Sequence, residues 1–127
     1  MDRKKNVIRR SGENIAAVEV ETILSRHPLI KQAAVAATPD AVRGDEVAAL
    51  IVLNGASGGD PAMAEQIVRW GLGQVAYYKV PGWVAFVGEL PKTPTEKILR
   101  AALKTLVAEK MAAGQFIDTR AMKKRQA

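Results

Sequence analysis

One lysine stands where a cation could take part in chemistry. Lys97 lies in the run from Leu90 to Arg100, which contains two prolines and leads into an apolar stretch of helical period. Thr93-Pro94-Thr95-Glu96 matches a capping box with proline at the first helical position, so helix initiation alone explains the motif. In that geometry Lys97 occupies the first helical turn, where the helix dipole disfavours a cation by about 0.3–1 kcal/mol. A lysine kept against this preference suggests a second role, such as reaching a phosphate.

The other residue types do not assemble a self-contained active site. The sequence has one histidine and no cysteine, so neither a Ser-His-Asp triad nor a typical zinc site can be built. His27 precedes Pro28, and its commonest role there is to help end a helix. The glycine motifs of phosphate loops and dinucleotide folds are also missing from the sequence. No metal site is predicted.

Two pairs of carboxylates are the remaining candidates for acid–base chemistry. They are Glu19 with Glu21, and Asp45 with Glu46. Residues one or two positions apart do not converge on one face of a helix. For both pairs a solvated surface is therefore the favoured interpretation, ahead of a catalytic dyad.

Periodicity and turn signals predict the elements that position these residues. Asp60-Pro61 supplies an N-cap followed by proline, a strong start for a helix. The run at 30–38 is rich in alanine, so taken alone it is compatible with a strand or a helix. The predicted order is a hairpin around Ser11–Asn14, a helix at 18–24, strands at 30–38 and 46–53, a helix at 60–72, a strand at 83–87 and a helix at 97–112.

This order predicts the α+β class, with a small three-stranded antiparallel sheet covered by helices and an N-terminal β-hairpin. Residues 1–113 are predicted to form one domain. Residues 114–127 show little apolar periodicity, so we expect them to form a basic, disordered tail.

The net charge of +6 over 127 residues raises the possibility of a nucleic-acid partner. Residues 1–10 carry +4 and residues 118–127 carry +3, which leaves −1 for the body between them. Basic ends of this kind are usually solvated, so no nucleic-acid partner is expected. No apolar run approaches the ~20 residues of a membrane span, and no signal peptide is recognised. With no cysteine, a cytoplasmic location is the default expectation.

Several short motifs occur in an order that is more specific than any one of them. They are the segments Asp2–Ile8, Ser11–Ile15, Val18–Glu21, Tyr78–Pro81 and Leu90–Arg100. Together they resemble the C-terminal domain of the acyl-CoA synthetase, luciferase and peptide-synthetase adenylation superfamily, over about residues 2–108.

The resemblance implies an ATP-dependent acid–thiol ligase. In such enzymes a carboxylic acid attacks the α-phosphate of ATP to give an acyl-adenylate and pyrophosphate, and coenzyme A (CoA) then displaces AMP. The small domain rotates between the two steps. ATP, Mg²⁺ and CoA are the implied cofactors of the full-length enzyme, which we expect to act in fatty acid metabolism. This chain alone is expected to bind none of them and to be inactive.

The resemblance also assigns roles to particular residues. Lys97 aligns with the lysine that contacts the carboxylate and α-phosphate region during adenylation, where a flexible cation offsets developing charge. Arg3 aligns with an arginine that binds the ATP ribose, and Lys5 with the hinge. The loop Ser11-Gly12-Glu13 aligns with the part that faces the CoA pantetheine channel, where glycine allows close passage of a thin chain. Without the motif, Arg3 and Lys5 would be read as a solvated basic end.

The sequence departs from the family pattern in two respects. Glu96 stands where family members often carry glycine before the catalytic lysine, which affects how Lys97 approaches its target. The large domain with the acyl pocket is not part of this sequence, so the chain is expected to be a fragment whose partner is that domain, together with the carboxylic acid, ATP and CoA. A homo-oligomer is left open.

Two alternatives to the ligase domain remain at the level of sequence. The first is a stand-alone regulatory or binding module that acts in trans with a separate adenylation subunit. The second, less favoured, is a nucleic-acid-binding protein that uses its basic ends.

Overall fold

The computed structural model describes residues 7–54, 59–91 and 99–123. These ranges contain six strands and three α-helices, and two short 3₁₀ helices lie at Tyr77–Lys79 and Arg120–Met122. The elements in chain order are β1 (Val7–Arg10), β2 (Glu13–Ala16), α1 (Ala17–Leu24), β3 (Ile30–Asp40), β4 (Gly44–Leu53), α2 (Pro61–Leu72), β5 (Trp83–Phe86), α3 (Arg100–Ala112) and β6 (Ile117–Asp118).

The strands form one six-stranded sheet around β4. β3 pairs antiparallel with β4 along the whole of both strands, and it therefore occupies one edge of β4. β1 and β5 share the other edge: β1 pairs with β4 at Gly44, and β5 runs parallel to β4 from Ala48 to Ile51. β2 extends the sheet beyond β1, and β6 extends it beyond β5.

Helices cover both faces of the sheet, which explains why β4 is apolar at consecutive positions. Successive strand residues point to opposite faces. Val47, Ala49 and Ile51 pack with the hairpin, α1 and α2. Ala48 and Leu50 face the other way and pack with Leu103 and Val107 of α3. The edge strand β3 thus lies between α1 on one face and α3 on the other.

The start of α2 is confirmed. The Asp60 carboxylate accepts a hydrogen bond of 2.9 Å from the Met63 amide, and Pro61 is the first helical residue. Because these signals are local, the sequence was sufficient to locate them. α2 ends at Leu72, as predicted.

The α+β class is confirmed, and the sheet is larger than the three antiparallel strands predicted. The hairpin joins the sheet through Arg10 and Gly44 instead of standing beside it. β5 pairs parallel with β4, which brings in the strand after α2 by a crossover. The alanine-rich run is a strand, and it extends to Asp40.

The C-terminal segment also differs from the disordered tail that was predicted. β6 pairs with Trp83 and Val84, and the Thr119 hydroxyl donates to the Pro81 carbonyl across 2.8 Å. Lys123 is buried. Polar side chains provide much of this anchoring, so hydrophobic periodicity gave no signal for it. The described part of the tail, up to Lys123, belongs to the fold.

The last helix begins later than predicted. α3 starts at Arg100 with Leu99 as its N-cap, whereas the sequence favoured a start near Lys97. Leu99 is 43% exposed and does not join the buried face formed by Leu103 and Val107. The first turn of α3 is therefore formed by residues 100–103, later in the chain than predicted. The predicted capping box lies outside the described residues.

Candidate functional site

The hairpin turn contains the residues that the resemblance assigns to the CoA channel. Ser11 and Gly12 both have positive φ, 51° and 83°, as a two-residue hairpin turn of type I′ requires. The Ser11 amide donates to the Arg43 carbonyl across 2.8 Å, and the Arg43 guanidinium donates to the Ser11 hydroxyl across 3.2 Å. The turn is therefore tied to the β3–β4 connection.

Asp40 shapes that connection. Its carboxylate accepts hydrogen bonds from the amides of Arg43 (2.9 Å) and Val42 (3.1 Å) and from the side chain of Arg120 (3.1 Å). The Arg43 amide is the largest cause that lowers the pKa of Asp40. Because the carboxylate fixes the backbone at Arg43, it also fixes the arginine beside Ser11.

The turn is open to a ligand. Ser11, Gly12 and Glu13 are exposed, and a Cβ added to Gly12 would meet no atom within 4 Å. The structure brings these three predicted residues together on one surface loop. Their contact with CoA stays a prediction.

The two residues that flank the segment containing Lys97 are hydrogen-bonded to each other. The Leu99 amide donates to the Pro91 carbonyl across 2.9 Å, so the two ends of the segment are adjacent. Lys97 itself lies outside the described residues, as do the predicted ribose contact Arg3 and the predicted hinge Lys5. Their roles stay predictions.

An ion pair connects α1, the helix after the hairpin, to the start of α3. The two guanidinium nitrogens of Arg100 donate to the two carboxylate oxygens of Glu21, across 2.6 and 2.8 Å. Glu21 Oε2 also accepts from the Val35 amide of β3 across 2.8 Å. The hydrogen bonds that Arg100 donates to Glu21 raise the pKa of the arginine. One buried carboxylate therefore joins α1, β3 and α3.

A second carboxylate of α1 reaches the Tyr78–Pro81 motif. Glu19 accepts a hydrogen bond of 2.8 Å from Lys79, and this bond raises the pKa of the lysine. The side chains of Glu19 and Lys79 keep 43% and 22% of their exposure, so the pair contributes little to stability. Together, Glu19 and Glu21 connect α1 to both of the later motifs.

A buried charge cluster lies at the start of β4. Glu46 accepts from Arg10 across 3.0 Å and from Lys123 across 2.6 Å, and Lys123 also donates to the Val80 carbonyl. Burial lowers the pKa of Lys123 to about 8, although the attraction of Glu46 opposes the shift. Gly82 is required beside this cluster, since an added Cβ would lie 2.5 Å from Glu46 Cδ.

The surface interpretation of the carboxylate pairs was wrong for Glu21 and Glu46. Glu21 belongs to the buried stripe of α1 at positions 17, 20, 21 and 24, a spacing that the sequence does contain. Glu46 shares a face of β4 with Ala48 and Leu50, and this two-residue period is also present in the sequence. Both carboxylates have structural partners, and the described residues give neither pair the geometry of a catalytic dyad.

His27 has a structural role. Its amide donates to the Leu24 carbonyl just after α1, and its Nδ1 accepts from the Leu29 amide across 3.1 Å. The ring packs edge-on against Trp70 with centroids 5.0 Å apart. Burial lowers the pKa of His27, so the neutral ring that accepts this bond is favoured.

An open cavity of about 460 Å³ lies beside Arg43. Both signs of charge line it, and its cations already have partners: Arg10 and Lys123 bind Glu46, Arg120 binds Asp118 and Asp40, and Arg43 donates to the Ser11 hydroxyl. Such a lining selects no single ligand charge. The residues around the cavity are Arg10, Asp40, Val42, Arg43, Glu46, Asp118, Arg120, Ala121 and Lys123.

The described part of the chain contains neither a metal-binding cluster nor a membrane-spanning helix. Its His, Asp and Glu side chains form no group of three suited to holding a metal ion. None of its helices combines the length and the hydrophobicity that a bilayer span requires.

Comparison with known proteins identifies the fold. The family model of the AMP-binding enzyme C-terminal domain matches residues 19–97. A human relative, acyl-coenzyme A synthetase ACSM5, mitochondrial, is 43% identical over 107 residues, which cover 83% of this chain and 18% of the relative. The chain spans about a fifth of the length of the relatives it matches.

Solved structures agree. The acyl-CoA synthetase of Brucella canis matches with a TM-score of 0.79 and 36% identity, over 87% of this chain and 20% of that one. The anthranilate CoA ligase AuaEII, solved with anthranoyl-AMP, matches with a TM-score of 0.76 and 35% identity, over 87% and 21%. The resemblance drawn from the motifs is thereby confirmed, and the chain belongs to the AMP-binding enzyme C-terminal domain family, whose members similar to it include acyl-CoA synthetases.

Proposed function

We propose that this chain acts as the mobile C-terminal domain of an ATP-dependent acyl-CoA synthetase and supplies Lys97 to the adenylation step. The observation that carries the proposal is the family match, which extends through the Leu90–Arg100 motif as far as Lys97. The hydrogen bond between Leu99 and Pro91, which flank the segment containing Lys97, also supports the proposal. A cation that must reach a phosphate needs a fixed point of attachment.

The proposed reaction has two steps. A carboxylate oxygen attacks the α-phosphorus of ATP and expels pyrophosphate, which gives an acyl-adenylate. The CoA thiol, after losing its proton, then attacks the acyl carbon and expels AMP, which gives the thioester. Lys97 acts in the first step by offsetting negative charge on the transferring oxygens. Rotation of the domain then withdraws the lysine and admits the thiol.

The Ser11-Gly12-Glu13 loop is proposed to face the CoA chain in the second step. The open space at Gly12 suits a thin pantetheine arm, because no side chain stands between it and the backbone. The two bonds between Ser11 and Arg43 keep the loop in one conformation. CoA supplies the thiol nucleophile when it is bound there.

The nucleotide is proposed to bind between this domain and a large partner domain. Arg3 would contact the ribose and Lys5 would serve as the hinge, while ATP and Mg²⁺ would be held mainly by the partner. The substrate is proposed to be a carboxylic acid whose side chain binds in the partner domain, which would set the specificity. A cytoplasmic location and a role in fatty acid metabolism stay predictions.

The proposal can be tested by joining this chain to the large domain of the Brucella canis enzyme, in place of that enzyme's own matching segment. Pyrophosphate exchange measures adenylation, and release of the thioester from a supplied acyl-adenylate measures the second step. The large domain alone is the control. We expect the chimera to exceed that control by at least about 100-fold in both steps.

A mixture of the separate large domain and this chain addresses the alternative of action in trans. If the chain is a lid that works in cis, the mixture should be far less active than the chimera, because covalent linkage raises the effective concentration. Equal activity of the mixture and the chimera would favour the stand-alone module. A chimera no more active than the large domain alone would refute both.

A further inference from the structure

The Glu21–Arg100 pair joins two helices that lie on opposite faces of the sheet. α1 packs with one core cluster and α3 with the other. The two side chains meet at the edge of β3 that faces away from β4, where Glu21 also binds the Val35 amide. The pair therefore covers part of the outer edge of β3 and fixes both helices to that strand.

The Glu21–Arg100 pair is a stronger interaction than an ordinary ion pair on the surface. Arg100 and Glu21 form two parallel hydrogen bonds, the fork arrangement that only arginine offers a carboxylate. Glu21 is 9% exposed, so its charge depends on these partners for solvation. Glu19, on the same helix as Glu21, accepts a single hydrogen bond, from Lys79, and keeps 43% of its exposure.

The position of Arg100 in the chain gives the pair a consequence beyond stability. Arg100 is the first residue of α3, and the N-cap Leu99 offers no side-chain cap. Lys97 precedes Arg100 by three residues in the sequence. Among the described residues, the backbone bond between Leu99 and Pro91 and the side-chain bonds from Arg100 to Glu21 hold this junction.

We propose that Glu21 and Arg100 are positioning residues for Lys97. They fix the point from which the lysine extends, and neither needs to touch a substrate. This inference rests on the proposed function of Lys97. A displacement of about 1 Å at a catalytic group can lower a rate by about 100-fold, so loosening the junction should impair adenylation. Thioester formation, from which Lys97 is withdrawn, should change little.

The chimera described above provides the test, with both half-reactions measured on each preparation. Glu21→Gln removes the charge, and Arg100→Lys keeps the charge but loses the fork. We expect Glu21→Gln to lower kcat for adenylation at least about 10-fold and thioester formation less than about threefold, with Arg100→Lys in between. Glu19→Gln on the same helix is the matched control and should leave both steps within about twofold.

A double variant separates positioning from a general structural role. In a Lys97→Ala background, Glu21→Gln should lower adenylation no further, because the lysine that it positions is gone. Additive loss, or equal loss of both half-reactions in Glu21→Gln and Arg100→Lys, would overturn the inference. If Lys97→Ala itself leaves adenylation intact, the proposed function fails. If Lys97→Ala abolishes adenylation while Glu21→Gln and Arg100→Lys retain it, only the positioning role fails.

Discussion

Lys123 Nζ donates to Glu46 Oε2 across 2.6 Å, and both side chains are almost completely buried. Glu46 lies at the start of the central strand and Lys123 lies 77 residues later in the sequence. The bond therefore ties the C-terminal segment to the middle of the sheet. It also places an ammonium group where solvent does not reach it.

This burial predicts a pH dependence of stability. The pKa of Lys123 is about 8 in the fold, against 10.5 for an ordinary lysine. Between these values the unfolded chain binds more protons than the folded one, so the contribution of this group to the free energy of unfolding rises with pH. Relative to Lys123→Met, the wild type should gain up to about 2 kcal/mol between pH 8 and pH 10 in denaturant unfolding. A difference that stays constant over this range would contradict the burial of the ammonium.

Gly82→Ala should destabilise the fold through the same cluster. The added Cβ would lie 2.5 Å from Glu46 Cδ, and the carboxylate cannot move freely because Arg10 and Lys123 hold it. Overpacking of this kind costs about 1–3 kcal/mol. Gly88→Ala is the control, since a Cβ there meets nothing within 4 Å. Similar unfolding midpoints for the two variants would rule out the close approach of Gly82 to Glu46.

The two carboxylates of α1 should differ sharply in their effect on stability. Glu21→Ala leaves Arg100 and the Val35 amide without their acceptor, and loss of one partner of a buried pair costs about 3–5 kcal/mol. Arg100 is partly exposed, so we expect the lower end of this range. Glu19→Ala should change the free energy of unfolding by about 0.5 kcal/mol or less. Urea unfolding of both variants checks the contrast, which equal losses would exclude.

The hairpin turn allows the proposed CoA contact to be tested separately from folding. Gly12 has φ of 83°, a conformation that asparagine tolerates better than most residues. Gly12→Asn should therefore keep the turn with a loss of about 1 kcal/mol or less, while its side chain fills the open space above the loop. In the chimera, thioester formation should fall at least about 10-fold and adenylation should change little. Unchanged thioester formation would argue against the role of this loop.

Much of the fold could be predicted from the sequence alone, because the signals for it are local. Asp60-Pro61 located the start of α2 because the capping oxygen and the amide it binds are three residues apart. The hairpin turn around Ser11–Asn14 followed equally from local turn chemistry, and Gly12 has positive φ within it. By contrast, the parallel pairing of β5 with β4 depends on contacts between distant segments, and no local pattern encodes it.

Polar contacts over long sequence distances explain the rest of the differences. Glu46 was assigned to the surface because its partners, Arg10 and Lys123, are 36 and 77 residues away. The tail was assigned to disorder for the same reason. The start of α3 was placed too early because a capping box predicts where a helix can begin, whereas in the structure the helix begins at Arg100, which Glu21 holds.

We propose that this domain delivers Lys97 to adenylation and not to thioester formation. The most direct measurement is the ratio of the two half-reaction rates in the chimera carrying Lys97→Ala, compared with Lys104→Ala, a control lysine exposed on α3. We expect Lys97→Ala to lower adenylation at least about 100-fold while thioester formation from a supplied acyl-adenylate stays within about threefold. An unchanged ratio, whether both rates fall together or neither falls, would contradict the claim.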